Sequence, residues 1–178
     1  MKILATEIPG LLLLEPTVFE DERGFFFESF HQQHFDEALG HAVRFVQDNH
    51  SGSQRGVLRG LHYQSEPHAQ GKLVRVLAGR IFDAVVDLRR DSPHFGKWFG
   101  TELSAANRYQ LWVPPGFAHG FVALDDNTEV AYKVTTFWQP GAEKSIRWDD
   151  PDLAIAWPIE TPILSQKDAQ GLRFRDMD

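Results

Sequence analysis

Short runs of β-branched and aromatic residues, cut by glycine or proline about every ten positions, leave this chain few folds to choose from. Pro9-Gly10 precedes a four-leucine patch, Gly79 separates two strongly β-prone runs, and Pro114-Pro115-Gly116 separates two more. Helical spacing is confined to two places. Gln32–Leu39 sets Phe35 and Leu39 four apart with Gly40 just beyond. Near the end, Ser165-Gln166-Lys167-Asp168 has the capping pattern of a helix start. Because helices do not alternate with strands, a doubly wound α/β sheet is disfavoured. The pattern predicts an all-β antiparallel barrel or jelly roll with a few short helices, a single domain over residues 1–178.

Within that frame, residues 72–77 and 81–88 flank Ala78-Gly79-Arg80 and are expected to pair as a hairpin. A charged turn at 19–24 leads into an aromatic strand in which Phe25, Phe27 and Ser29 face one way and Phe26, Glu28 and Phe30 the other. Residues 43–50 read as a strand with Gln47, Asp48 and Asn49 at its polar end, 129–137 as a further strand, and 148–158 as irregular.

The formal net charge of −7 argues against general nucleic-acid binding, which needs a basic face, so an anionic ligand must meet a local cationic cluster. With no cysteine, disulfides, thiolate nucleophiles and Cys-ligated zinc are excluded, and a reducing, cytoplasmic location is expected. No apolar run approaches the roughly 20 residues of a membrane helix, and the four leucines at 11–14 are too few for a signal segment.

Chemistry concentrates in residues 56–88. His62 sits in Leu58-Arg59-Gly60-Leu61-His62-Tyr63-Gln64, where it is either a proton-transfer base or a half-buried strand histidine with a satisfied hydrogen bond. Lys72 stands where the chain re-enters the sheet, as an oxyanion or phosphate cation or as an edge-strand lysine. Strict alternation puts Arg59 and His62 on opposite faces, so both serve one pocket only if Gly60 marks a bulge. Tyr132 reads as a proton donor or a core tyrosine. Asp168 reads as a partner for His62 or as a capping carboxylate, the Ser165 spacing favouring the cap.

Eight histidines raise the question of a metal. Pro114–His119 has a Pro-x-Gly-x-x-His shape that resembles the second metal motif of the cupin superfamily, but a His-x-His first motif would need histidine where Gln64 stands. The barrel therefore reads as metal-free.

Taken in order, Asp21–Glu28, Gly56–Gln64, His68–Val76, Ser92–Trp98, Leu111–Phe121, Ile146–Trp157 and Leu164–Asp168 resemble the dTDP-4-dehydrorhamnose 3,5-epimerase family over nearly the whole chain. The resemblance implies a cupin jelly-roll homodimer in nucleotide-sugar metabolism, without cofactor or metal, acting on dTDP-4-keto-6-deoxyglucose on the route to dTDP-L-rhamnose. It implies His62 as base, Asp168 as the group orienting it, Lys72 as the cation facing the C4 oxyanion and Tyr132 as the acid on the opposite face. Arg23 and Arg59 would hold the diphosphate; Gln47, Asn49 and Glu28 would read the nucleoside; Trp138, with Phe26, would stack on the base. His119, Glu143 and Lys167 match pocket positions without an assigned step. The strand carrying Arg23 to Glu28 is expected to cross to the partner subunit. After Asp168 the chain departs from the proline and apolar stretch usual in the family, which bears on tail packing.

Three other readings stand beside this one: a relative that inverts only C3 or only C5, a non-catalytic nucleotide-sugar-binding barrel, and a metal-dependent cupin. The complete set of His62, Asp168, Lys72 and Tyr132 favours the double epimerase.

Overall fold

A computed structural model describes residues 1–177. It has two facing antiparallel sheets. One runs in the order β1 (Lys2–Ala5), β2 (Leu12–Glu15), β10 (Gln110–Val113), β7 (Lys72–Ala78), β12 (Thr128–Val134) and β5 (Gln47–Ser53). The other runs β13 (Glu143–Ser145), β6 (Leu58–Gln64), β11 (Phe117–Ala123), β8 (Arg80–Asp87) and β9 (Trp98–Ser104). This is the all-β jelly roll that the punctuation predicts. A separate ribbon pairs β3 (Phe19–Asp21) with β4 (Gly24–Phe26). Helices α1 (Gln32–Leu39) and α2 (Gln166–Ala169) complete the scaffold with a 3-10 turn at Phe174–Asp176.

Alternation decides what each strand contributes. Val74 and Val76 of β7, Ile81 and Val85 of β8, Phe117 and Phe121 of β11 and Val130 of β12 fill the space between the sheets. The opposite phase is buried too. Leu73 and Trp112 pack under α1 with Leu14 and Phe35, while Leu61, Val86 and Ala118 are covered by the C-terminal tail through Ile146 and Leu153. Strands buried on both faces read as continuous apolar runs, which explains why β8 and β11 show so little polar alternation.

That double burial also overturns the expected hairpin. β7 pairs with β10 and β12, whereas β8 pairs with β11 and β9. Gly79, at φ +72 and packed against Thr128, turns the chain from one sheet into the other. A glycine turn has the same local chemistry in a hairpin and in a corner between layers; long-range pairing separates the two.

Other boundaries move for packing reasons. The strand expected at 43–50 lies at Gln47–Ser53, because Val43 and Phe45 leave the sheet to pack beneath α1. The aromatic strand stops at Phe26, and Phe30 turns inward, 5.7 Å from Phe35 and 5.3 Å from Phe45 by ring centroids. The strand expected at 129–137 spans Thr128–Val134. Polar β13 carried no strand signal and is held by pairing with β6. Helix α1 has its expected limits, with Gly40 left-handed at φ 75 as the C-cap.

Gly60 does mark a bulge. His119 lies opposite His62 and Phe121 opposite Arg59, so β6 carries one residue more than β11 between the two pairs. Gly60 is at φ +138, and a Cβ there would sit 2.5 Å from the Gly120 Cα. Only glycine fits that approach.

Candidate active site

The alternation that fills the core also aims the polar residues. Lys72 precedes Val74 and Val76 in phase, Asp83 lies between Ile81 and Val85, His119 between Phe117 and Phe121, and Tyr132 between Val130 and Val134. Each therefore points between the sheets. In β6, Leu61 packs under the tail, so His62 and Gln64 take the inward phase. The extra residue at Gly60 brings Arg59 back to the His62 side, and its guanidinium reaches Ser53 Oγ (3.0 Å) and the Gly52 carbonyl (2.9 Å) on the facing sheet.

One cavity collects Gln47, Asn49, His62, Tyr63, Gln64, Gln70, Lys72, Tyr132, Trp138 and Glu143. Lys72, Tyr132, Gln47 and Asn49 come from the six-stranded sheet; His62, Gln64 and Glu143 come from the five-stranded one. His62 and Tyr132 thus approach the same space from opposite walls.

His62 Nε2 forms a short hydrogen bond with Asp168 Oδ1. Asp168 is 3 % exposed, and its second oxygen accepts from Ser165 Oγ at 2.9 Å. Ser165 in turn caps α2 by accepting the Asp168 N–H at 3.1 Å. The two readings of Asp168 are therefore compatible: the turn that starts the helix is what holds the carboxylate against the imidazole. Burial pushes the Asp168 carboxyl up, but the hydrogen bond and charge of His62, with Ser165 and Lys167, outweigh it and hold it below the usual carboxylate range. An ionised Asp168 fixes the imidazole proton on Nε2 and leaves the lone pair on Nδ1, as a base requires.

Lys72 is buried, and its ammonium donates to the His62 carbonyl at 3.3 Å. Burial pulls its pKa down to about 8, only partly opposed by the charges of Glu143 and Asp83. A desolvated cation in this position stabilises negative charge that develops in the cavity. Tyr132 is half-buried; desolvation, then the charge of Glu143, raises its pKa, so the phenol keeps its proton at neutral pH. Glu143 accepts from Lys167 Nζ at 2.6 Å and from the Trp138 indole N–H at 3.1 Å. Although burial pushes the Glu143 carboxyl up, those partners hold it low.

His119 lies deeper, its Nε2 held by both oxygens of Asp83 at 3.0 and 2.9 Å. Asp83 was missed by sequence reasoning, though a carboxylate in the run Ile81–Val86 signals a buried partner. In the sequence Gln64 stands out only as the residue where a metal motif would have histidine. Its amide nitrogen donates to His68 O (2.8 Å) and Phe137 O (3.3 Å), and its oxygen accepts the Gln139 N–H (2.7 Å), tying together the two loops beside the cavity.

Arg59, His119, Lys167 and Asp168 are not among the residues that line the cavity, and three further expected site residues lie on or just after the β3–β4 ribbon. Arg23 pairs with Asp21 on the β3–β4 ribbon, Phe26 is exposed beside it, and Glu28 follows, all outside the cavity.

The Lys72 environment makes a prediction. As pH rises through about 8 the ammonium is lost, so turnover should fall on an alkaline limb near that value. Lys72→Met should lower kcat about 100-fold and remove the limb. The folded pKa lies below that of the unfolded chain, so folding is opposed by the charged lysine at neutral pH and relieved as pH climbs above about 8. The same variant should consequently be more stable than the parent at pH 7, as urea midpoints would show.

A jelly-roll barrel whose cavity holds a carboxylate-bound imidazole, a phenol from the facing sheet and a buried cation carries the groups that a proton-transfer isomerase uses. Residues 5–176 match the family model described as dTDP-4-dehydrorhamnose 3,5-epimerase. The dTDP-4-dehydrorhamnose 3,5-epimerase of Pseudomonas aeruginosa is 58% identical over 179 residues, covering 100% of this chain and 98% of that protein. A Legionella pneumophila structure, a dTDP-6-deoxy-D-glucose-3,5-epimerase in complex with dTDP-4-keto-L-rhamnose, superposes with TM-score 0.96 at 52% identity, covering 99% of this chain and 94% of that one. A 3'-monoepimerase from Streptomyces bikiniensis, in complex with dTDP-quinovose, superposes with TM-score 0.89 at 34% identity, covering 94% and 85%. The chain belongs to the dTDP-4-dehydrorhamnose 3,5-epimerase family.

Proposed function

We infer that the chain epimerises dTDP-4-dehydro-6-deoxy-D-glucose at C3 and C5 to dTDP-4-dehydro-L-rhamnose, as part of dTDP-L-rhamnose biosynthesis. The observation that carries this reading is the placement of His62 and Tyr132 on opposite walls of one cavity, with Lys72 in the same space. The C4 ketone acidifies the hydrogens on C3 and C5. His62 removes one of them, and the electron pair moves into an enolate whose oxygen faces the Lys72 cation. Tyr132 returns a proton to the opposite face, inverting the centre, and both side chains re-equilibrate with water before the second centre reacts. No hydride leaves the sugar, so the reaction needs no nicotinamide.

Arg59 is assigned to the diphosphate, Gln47 and Asn49 to the nucleoside and Trp138 to stacking on the base, with His119, Glu143 and Lys167 shaping the pocket. Arg23, Phe26 and Glu28 would complete it from a second copy. An isolated two-stranded ribbon is marginal in water, and this one exposes Phe19, Phe25 and Phe26 at 63%, 60% and 68%. Exchanged between the subunits of a homodimer, it would bury those rings and bring Arg23 to the partner's cavity. We place the enzyme, working as one domain, in the cytoplasm with its nucleotide-sugar substrate. No helix among the described residues is long and apolar enough to cross a membrane.

The fold shared with a 3'-monoepimerase keeps single-site inversion as the second reading. Incubation with dTDP-4-keto-6-deoxyglucose in heavy water, without nicotinamide and after chelator treatment, separates them by proton NMR. Deuterium entering both C3 and C5 is the expected result. Deuterium at one position assigns the single-site reaction, and none at either despite dTDP binding leaves a binding barrel and overturns the catalytic reading.

A further inference from the structure

Ahead of the barrel, where the chain leaves the ribbon and enters α1, three exposed side chains converge. The ligand atoms of Glu28, His31 and His34 all lie within 4.8 Å of one another. His34 Nδ1 is 3.8 Å from Glu28 Oε2, and the two imidazoles stack at 3.9 Å between centroids with an interplanar angle of 20°. The spacing has a local cause. His31 is the extended N-cap of α1 and His34 lies one turn on, so both rings stand over the first turn with Glu28 on the approaching chain.

We propose that Glu28, His31 and His34 form a binding site for a zinc-class divalent metal ion at the ribbon–helix junction, separate from the barrel cavity. Two imidazoles and one carboxylate are a borderline-soft donor set, suited to zinc rather than to calcium or magnesium. Tetrahedral ligation with bonds of about 2.0–2.2 Å puts donor atoms roughly 3.4 Å apart, so the cluster closes by shifts of about 1 Å. All three side chains are exposed and can make those rotations without disturbing a packed core. The metal's competitor is weak: the N-cap contact from the His34 N–H to His31 Nδ1 is 3.4 Å long. Three protein ligands leave a coordination position for water.

The site has a consequence that rests on the reading of Glu28 as a nucleoside ligand. A metal that captures the carboxylate withdraws it from the nucleotide, so zinc should weaken dTDP binding and raise KM without a matching fall in kcat.

The test is equilibrium dialysis of zinc against the untagged full chain, its His34→Ala variant and its His31→Asn variant, which retains a capping side chain. One zinc per chain, bound at least tenfold more weakly by both variants, is expected. The His34→Ala variant should keep its activity in chelator and lose the effect of zinc on dTDP affinity. No binding, or equal binding by all three proteins, would overturn the site. Zinc bound through these histidines with dTDP affinity unchanged would uphold the metal site and remove Glu28 from nucleotide binding.

Discussion

His62→Ala is expected to lower kcat for epimer formation by about 10³-fold while leaving KM within a few-fold, because the positioned base is lost and the binding walls are not. The imidazole is part-exposed at the cavity and its loss removes little core packing, since Leu61 and Tyr63 on either side carry the contacts beneath the tail. The folded state should therefore survive, as an unchanged circular dichroism spectrum would show. The space left by the ring also admits a small base, so added imidazole should restore part of the lost rate. Kinetics with and without imidazole check both statements.

Asp168→Asn is expected to cost nearly as much, about 10²- to 10³-fold in kcat, although Asp168 is buried and does not line the cavity. The carboxylate accepts from His62 Nε2 and holds the lone pair on Nδ1. An amide that turns its NH2 toward Nε2 demands the opposite tautomer and moves the lone pair away from the substrate. Stability should fall as well, by about 1–3 kcal/mol, because a buried partner of both His62 and Ser165 is changed. The linkage has a definite sign. The Asp168 pKa is depressed in the folded chain, so its contribution is present at neutral pH, above the unfolded carboxylate range, and is lost as pH falls through the folded value. The parent should thus lose more stability on acidification than the Asn variant, measured by urea midpoints at pH 7 and at steps below pH 4, under the unfolded carboxylate value.

Much of this was legible because it is local. Turn residues and apolar phase marked most strands, and α1 was set by Phe35, Leu39 and Gly40. The Gly60 bulge was inferable from the need to bring Arg59 and His62 to one face, and the register shows it. What could not be read was pairing at a distance. Gly79 looks the same whether the next run folds back beside the first or crosses to another sheet, and β13 exists only because β6 offers an edge. The dyad was hidden for a similar reason: 106 residues separate His62 from Asp168, and the cap at Ser165 explained Asp168 sufficiently without it. Only the family resemblance paired them. Gln64 in the cavity wall and the fully buried Asp83 escaped because their importance lies in what they hold, the loops at His68 and Gln139 and the ring of His119.

His62 and Tyr132 are assigned to opposite faces of one substrate, and Tyr132→Phe in heavy water separates their two roles. Phenylalanine keeps the ring and its packing against the core but removes the proton that the opposite face receives. With His62 intact, deuterium should still wash into the substrate at C3 or C5 with retained configuration, while the inverted product falls by at least 100-fold. Inversion at the parental rate would contradict the account, as would exchange and inversion lost together in a folded protein that still binds dTDP.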